Sequence, residues 1–111
     1  MKVEYLDVTR LKNNSFDIDM ENGYIISGYI DIDYEYEDNS FDHAFGTYSQ
    51  IDLIVYLSSL NIVSCIDEDG NKKVLTDEEK KNLKDFIDEN LDEYTDYGSV
   101  EKDIDEYKSP F

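Results

Sequence analysis

Residues 30–37 alternate without a fault, with Ile30, Ile32, Tyr34 and Tyr36 on one side and Asp31, Asp33, Glu35 and Glu37 on the other. Successive side chains of a strand point to opposite faces, so this pattern demands a half-buried strand with one apolar and one acidic face. A second alternating run sets Phe16, Ile18 and Met20 against Asp17, Asp19 and Glu21 and leads into Asn22-Gly23, a hairpin signal. Parity then decides the register. A two-residue loop pairs Met20 with Ile25 and throws the later apolar stripe onto the acidic side. A three-residue loop, Glu21-Asn22-Gly23 with Gly23 left-handed, pairs Met20 with Tyr24 and Ile18 with Ile26, and every apolar stripe agrees. The second strand then runs from about residue 24 to 37, and Gly28 is the place for a kink.

The remaining segments are read in the same way. Residues 3–11 form a strand in which either Val3 and Tyr5 or Leu6 and Val8 face inward. Residues 38–47 have turn chemistry and no period, and read as a loop pinned by Phe41 and Phe45. Residues 51–57 are apolar on both faces and suit a central strand, with a short helix as the alternative. Residues 62–66, an acidic turn at 67–71 and residues 72–75 make a second hairpin. Thr76-Asp77-Glu78-Glu79 is a capping box followed by Lys80, Lys81 and Lys84, as the helix dipole prefers. Leu83, Phe86, Ile87 and Leu91 share one face of the resulting helix over about 77–92. Past Gly98, Val100, Ile104 and Tyr107 stand at helical spacing in an acidic segment, either a short second helix or a tail that orders on a partner. The expected architecture is α+β: an antiparallel sheet of about five or six strands, with hairpins at 14–37 and 61–75, packed by one C-terminal helix at about 77–92 and followed by an acidic C-terminal segment. Residues 1–97 are expected to form a single domain, with 98–111 a tail or short helix.

Charge narrows the function. The chain has 111 residues and a formal net charge of -18, and residues 13–71 contain no Lys or Arg but 13 Asp and Glu. Such repulsion works against the compact state, so a surface this one-sided points to an electrostatic task on a positive partner. A hydrophobic content of 40 %, with 10 Tyr and 5 Phe, is too high for a disordered acidic chain. The lone Cys65 excludes an internal disulfide, no apolar leader follows Met1, and the run 51–63 is too short to span a bilayer. A cytoplasmic protein is expected. Anionic lipids and phosphates repel it, so neither a membrane nor nucleic acid is an expected direct partner.

No catalytic or metal chemistry emerges. Asp67, Asp69, Asn71, Val74 and Glu78 fall at calcium-loop offsets, but Gly70 is misplaced and Lys72 stands beside the would-be ion, so an acidic turn is the better reading. His43 has no second histidine or partner cysteine for zinc, and Cys65 reads as a small core residue. No enzyme activity, metal or cofactor is expected.

Carboxylates on alternate strand residues stand about 6.8 Å apart and neighbouring strands about 4.8 Å, so several acidic rows approximate a lattice of phosphates. Asp17, Asp19, Glu21, Asp31, Asp33, Glu35, Glu37 and Asp38 supply the rows, and helix residues Asp88, Asp92 and Glu93 extend them. Tyr34 and Tyr36, with Tyr29, Tyr48, Tyr56, Tyr94, Tyr97 and Tyr107 as further candidates, add rigid contact area. In size, charge and such rows as Asp31-Ile32-Asp33-Tyr34-Glu35-Tyr36-Glu37-Asp38, the chain resembles the small acidic proteins of bacteriophages and mobile elements, including DNA-mimicking anti-restriction and anti-CRISPR proteins. The resemblance implies a class: inhibition of a basic nucleic-acid-binding host protein, a nuclease or CRISPR effector among them, by a monomer or homodimer in the host cytoplasm. The alternative is a small phage structural or assembly protein that acts through strand-edge or tail contacts.

Overall fold

The computed structural model describes residues 1–38, 41–43, 46–48 and 51–108. Its main sheet is antiparallel and four-stranded, in the order β1 (Lys2–Leu6), β2 (Asn14–Asp19), β3 (Ile25–Asp38) and β6 (Ile51–Ile66). The short strands β4 (Phe41–His43) and β5 (Gly46–Tyr48) pair with each other in a separate two-stranded sheet, and two helices follow, α1 (Asp77–Tyr94) and α2 (Tyr97–Lys108).

The β2–β3 hairpin has the three-residue loop that parity requires. Ile18 pairs with Ile26, the Met20 amide donates to the Tyr24 carbonyl at 2.8 Å, and Gly23 has φ +87°. Phe16, Ile18, Ile26, Ile30 and Ile32 therefore share one face, where they are buried with Leu83, Ile87 and Leu91 of α1 and Val100 and Ile104 of α2. At Gly28 the backbone of β6 comes close to β3: a Cβ there would sit 2.0 Å from the Asn61 carbonyl oxygen.

The expected sheet of five or six strands with one helix is corrected in three places. Residues 51–66 are one strand rather than two, because bulges opposite Ser27/Gly28 and Asp31/Ile32 leave Val63 and Ser58 as extra residues on β6. Each extra residue resets the side-chain parity, so Leu53, Val55 and Leu57, then Leu60 and Ile62, then Cys65 all meet the core face of β3, although a strict period of two breaks between them. The hairpin expected at 61–75 reduces to an isolated bridge between Ile66 and Lys72, because Leu75 is already buried in the core and Thr76 begins a helix. The segment past Gly98 is a packed second helix. Asp96 caps it by accepting from the Ser99 amide at 3.2 Å and hydroxyl at 3.0 Å, and Val100 and Ile104 are almost wholly buried.

Two smaller differences have equally local causes. In β1 a bulge at Glu4 lets both Val3 and Leu6 face the core, which resolves its facing. The 38–47 loop holds the β4–β5 pair; its pinning by Phe41 and Phe45 concerns side chains outside the described residues. α1 has the capping box, with the Glu79 amide donating to Thr76 Oγ1 at 3.1 Å and the Thr76 amide to Glu79 Oε1 at 3.0 Å.

Because β2 pairs with β3 only over Ile25–Ile30, the eight residues 31–38 have β6 as their strand partner. The β3–β6 pair thus runs on as a two-stranded arm, about 26 Å long at about 3.3 Å per residue. The molecule is correspondingly drawn out, 63 × 37 × 22 Å with a radius of gyration of 17.6 Å, where a compact chain of this length would have about 13 Å.

Candidate binding face

The helices cover one face of the sheet, and among the described residues no helix covers the opposite, open face. Register brings six of the proposed carboxylates onto it: Asp17 and Asp19 from β2, and Asp31, Asp33, Glu35 and Glu37 from β3. They share it with Tyr5, which pairs with Asp17, with Tyr29, and with Tyr56, which pairs with Asp33; all three tyrosines are exposed. In sequence Tyr5 reads, with Val3, as a possible inward residue; the Glu4 bulge, which has no local signature, turns it onto the open face instead.

The carboxylates divide by what holds them. Asp17 accepts from the Ser27 hydroxyl at 2.9 Å. Asp31 accepts from the Asn13 amide at 2.9 Å and stands 3.7 Å from Lys12 Nζ. The Asn13 amide foremost, then Ser59 and Lys12, hold its carboxyl below the usual carboxylate range. At the β1 end Lys2 pairs with Glu4 at 3.1 Å and lowers its pKa, while the neighbouring Glu4 carboxyl raises that of Asp19. Farther out, Asp33, Glu35 and Glu37 are exposed along the arm, and the charges of Asp33 and then Glu35 push the Tyr56 hydroxyl up. Among the described residues no ion pair reaches Asp33, Glu35 or Glu37, and Asp33 accepts from the Tyr34 amide at 2.8 Å.

Other proposed residues are placed elsewhere. Glu21 lies in the hairpin loop, 3.4 Å from the N-terminal amine. Tyr34 and Tyr36 lie on the reverse face of the arm, in an edge-to-face contact with ring centres 5.8 Å apart, and Asp38 follows them in parity. Asp88, Asp92 and Glu93 belong to the helical layer on the far side of the sheet, so they do not extend the acidic face. Asp88 accepts from the Leu57 amide at 2.9 Å, and Asp92 accepts from the Tyr97 hydroxyl.

The calcium-like turn is occupied by its own backbone. Asp67 Oδ1 accepts from the Asp69 amide at 3.0 Å and the Asn71 amide at 2.9 Å, and Lys73 stands 3.7 Å from Oδ2. Burial first, and then the charge of Glu79, raise the Cys65 thiol pKa, which leaves it a weak nucleophile at neutral pH. Among the described residues no helix is long and apolar enough to cross a membrane.

These features define an acidic, tyrosine-bearing sheet face carried onto a projecting arm. No protein-family model matches the chain, and neither a curated protein nor a solved structure is significantly similar to it.

Proposed function

We propose that this is a non-enzymatic acidic inhibitor that occupies the basic nucleic-acid-binding surface of a host protein in the cytoplasm. The observation that carries the reading is the common facing of Asp17, Asp19, Asp31, Asp33, Glu35 and Glu37, which register assembles from two strands. Spacings of about 6.8 Å along Asp31, Asp33, Glu35 and Glu37 make a row of fixed negative points that a phosphate-binding groove accepts without reading bases, and Asp17 and Asp19, opposite Ser27 and Ile25, lie farther back on the same face. The acids steer encounter and exclude nucleic acid, and Tyr29 and Tyr56 supply contact area on the same face. Anti-restriction and anti-CRISPR inhibitors are the class intended, with a nuclease or CRISPR effector as the target.

Capture from a bacterial lysate on the immobilised protein, followed by elution with salt and with a short DNA duplex, tests this. The expected result is a basic nucleic-acid-binding protein released by duplex and not retained by Asp33→Lys/Glu35→Lys/Glu37→Lys. Retention of the same protein by both forms, without release by duplex, would rule the reading out. A second reading, a small phage assembly protein, is favoured by one observation: β6 ends the sheet and offers an edge for strand pairing.

A further inference from the structure

The edge of β6 is specified closely enough to say what docks there. The Leu57 amide points away from β3 to Asp88 Oδ1 at 2.9 Å, and the amide of its cross-strand partner Ile32 points the other way, to the Leu11 carbonyl at 2.8 Å. Ile32 and Leu57 are therefore a pair that does not exchange ladder hydrogen bonds. Register is unbroken from there to the end of the arm, so Val55, Leu53 and Ile51 repeat the arrangement and turn their amides and carbonyls outward.

The protein closes this edge farther along β6, on the C-terminal side of that stretch. Asp88 takes the Leu57 amide, and at the far end of the strand Lys72 bridges Ile66 while the Lys73 amide donates to the Cys65 carbonyl at 2.8 Å. Over 51–56 no strand neighbours it among the described residues. Natural edges are blunted with charge, proline or cover, and the β1 edge has Lys2, the Glu4 bulge and the Val8–Thr95 bridge. The 16 residues of β6 have one charged side chain, Asp52, and no proline, in a chain of net charge -18.

We propose that an extended segment of the partner, alternately cationic and apolar, adds to the sheet as a fifth strand along residues 51–56 of β6. On the open face its side chains would lie beside Ile54 and Tyr56, with the Asp33, Glu35 and Glu37 row two strand spacings away, about 9.6 Å and within reach of Lys or Arg. On the reverse face they would meet Leu53 and Val55, which asks for apolar residues. A second copy of this chain would satisfy the backbone but set one net charge of -18 against another. The inference rests on the cationic partner proposed above and adds the element by which that partner binds.

An acetylated octapeptide of alternating Lys and Val tests it, together with two versions N-methylated at all Lys amides or at all Val amides. In a strand these two sets of amides point to opposite edges, so edge pairing demands that one methylated peptide bind like the parent and the other lose about tenfold or more in affinity. The parent peptide should slow amide exchange at Leu53 and Val55. Val55→Pro, which removes an outward amide and leaves the β3 ladder intact, should lose about tenfold or more while the circular dichroism spectrum is unchanged. Equal binding of both methylated peptides, with binding abolished by salt, overturns strand addition and leaves the acidic-face reading standing. Absence of parent binding at low salt overturns strand addition as well, and duplex elution of captured protein then decides the wider reading separately. A dimer in sedimentation that Val55→Pro dissociates makes the occupant a second copy and overturns the cationic segment.

Discussion

Asn14 decides how the chain enters its first hairpin. Its side chain is 2 % exposed and accepts from the Thr9 amide at 3.1 Å and the Arg10 amide at 3.3 Å while donating to the Arg10 carbonyl at 2.6 Å. The 9–13 turn that it organises in turn places the Asn13 amide on Asp31, with Asn13 itself left-handed at φ 58°. Asn14→Ala removes three part-buried hydrogen bonds to the Thr9 and Arg10 backbone and should cost about 1–3 kcal/mol in urea denaturation. Tyr97 gives a pH prediction with a definite sign. Burial, and then its hydrogen bond to Asp92, push its hydroxyl up to about 12. The folded state therefore keeps this proton where the unfolded chain, titrating near 10, loses it. Its contribution to stability is complete below about pH 10 and is lost as pH rises toward about 12. Alkaline unfolding of Tyr97→Phe should be less steep across that window, as followed by far-UV circular dichroism. Of the residues on the open face, those of the alternating rows were legible in the sequence because parity alone sets their side. Asn14 was not, because an asparagine in a polar turn acquires its role only when the 9–13 turn folds over it.

Among the elements, α1 is the one whose start is written most locally. Thr76→Ala removes one half of the capping box and should cost about 1 kcal/mol, measured by thermal or urea unfolding. The β2–β3 hairpin was equally readable, since one loop length reconciles Phe16, Ile18 and Met20 with Ile26, Ile30 and Ile32. β6 was not. Its bulges at Ser58 and Val63 are properties of a strand pair, so the apolar pattern of one strand looks interrupted where the pair is continuous. In sequence α2 reads as either helix or tail because its burial of Val100 and Ile104 depends on a sheet and a first helix already in place, although its cap, Asp96 with Ser99, is local. The acidic helix face joined the sheet rows on composition alone; layer order separates them.

For the whole molecule, net charge works against the fold that displays it. Salt should therefore stabilise this protein, with the Tm rising from low ionic strength toward about 0.15 M, where the screening length is about 8 Å. Asp33→Lys/Glu35→Lys/Glu37→Lys should show a smaller rise, because it relieves the repulsion concentrated on the arm. The same salt should weaken the complex with a basic partner, so fold and binding respond with opposite sign, as an electrostatic binding face requires. The most direct test of the central claim is the affinity of the captured partner for a short DNA duplex, measured with and without this protein. Nucleic-acid mimicry predicts a duplex Kd that rises in proportion to added protein and returns to its starting value with the Asp33→Lys/Glu35→Lys/Glu37→Lys form. An unchanged duplex affinity in the presence of saturating protein would contradict it.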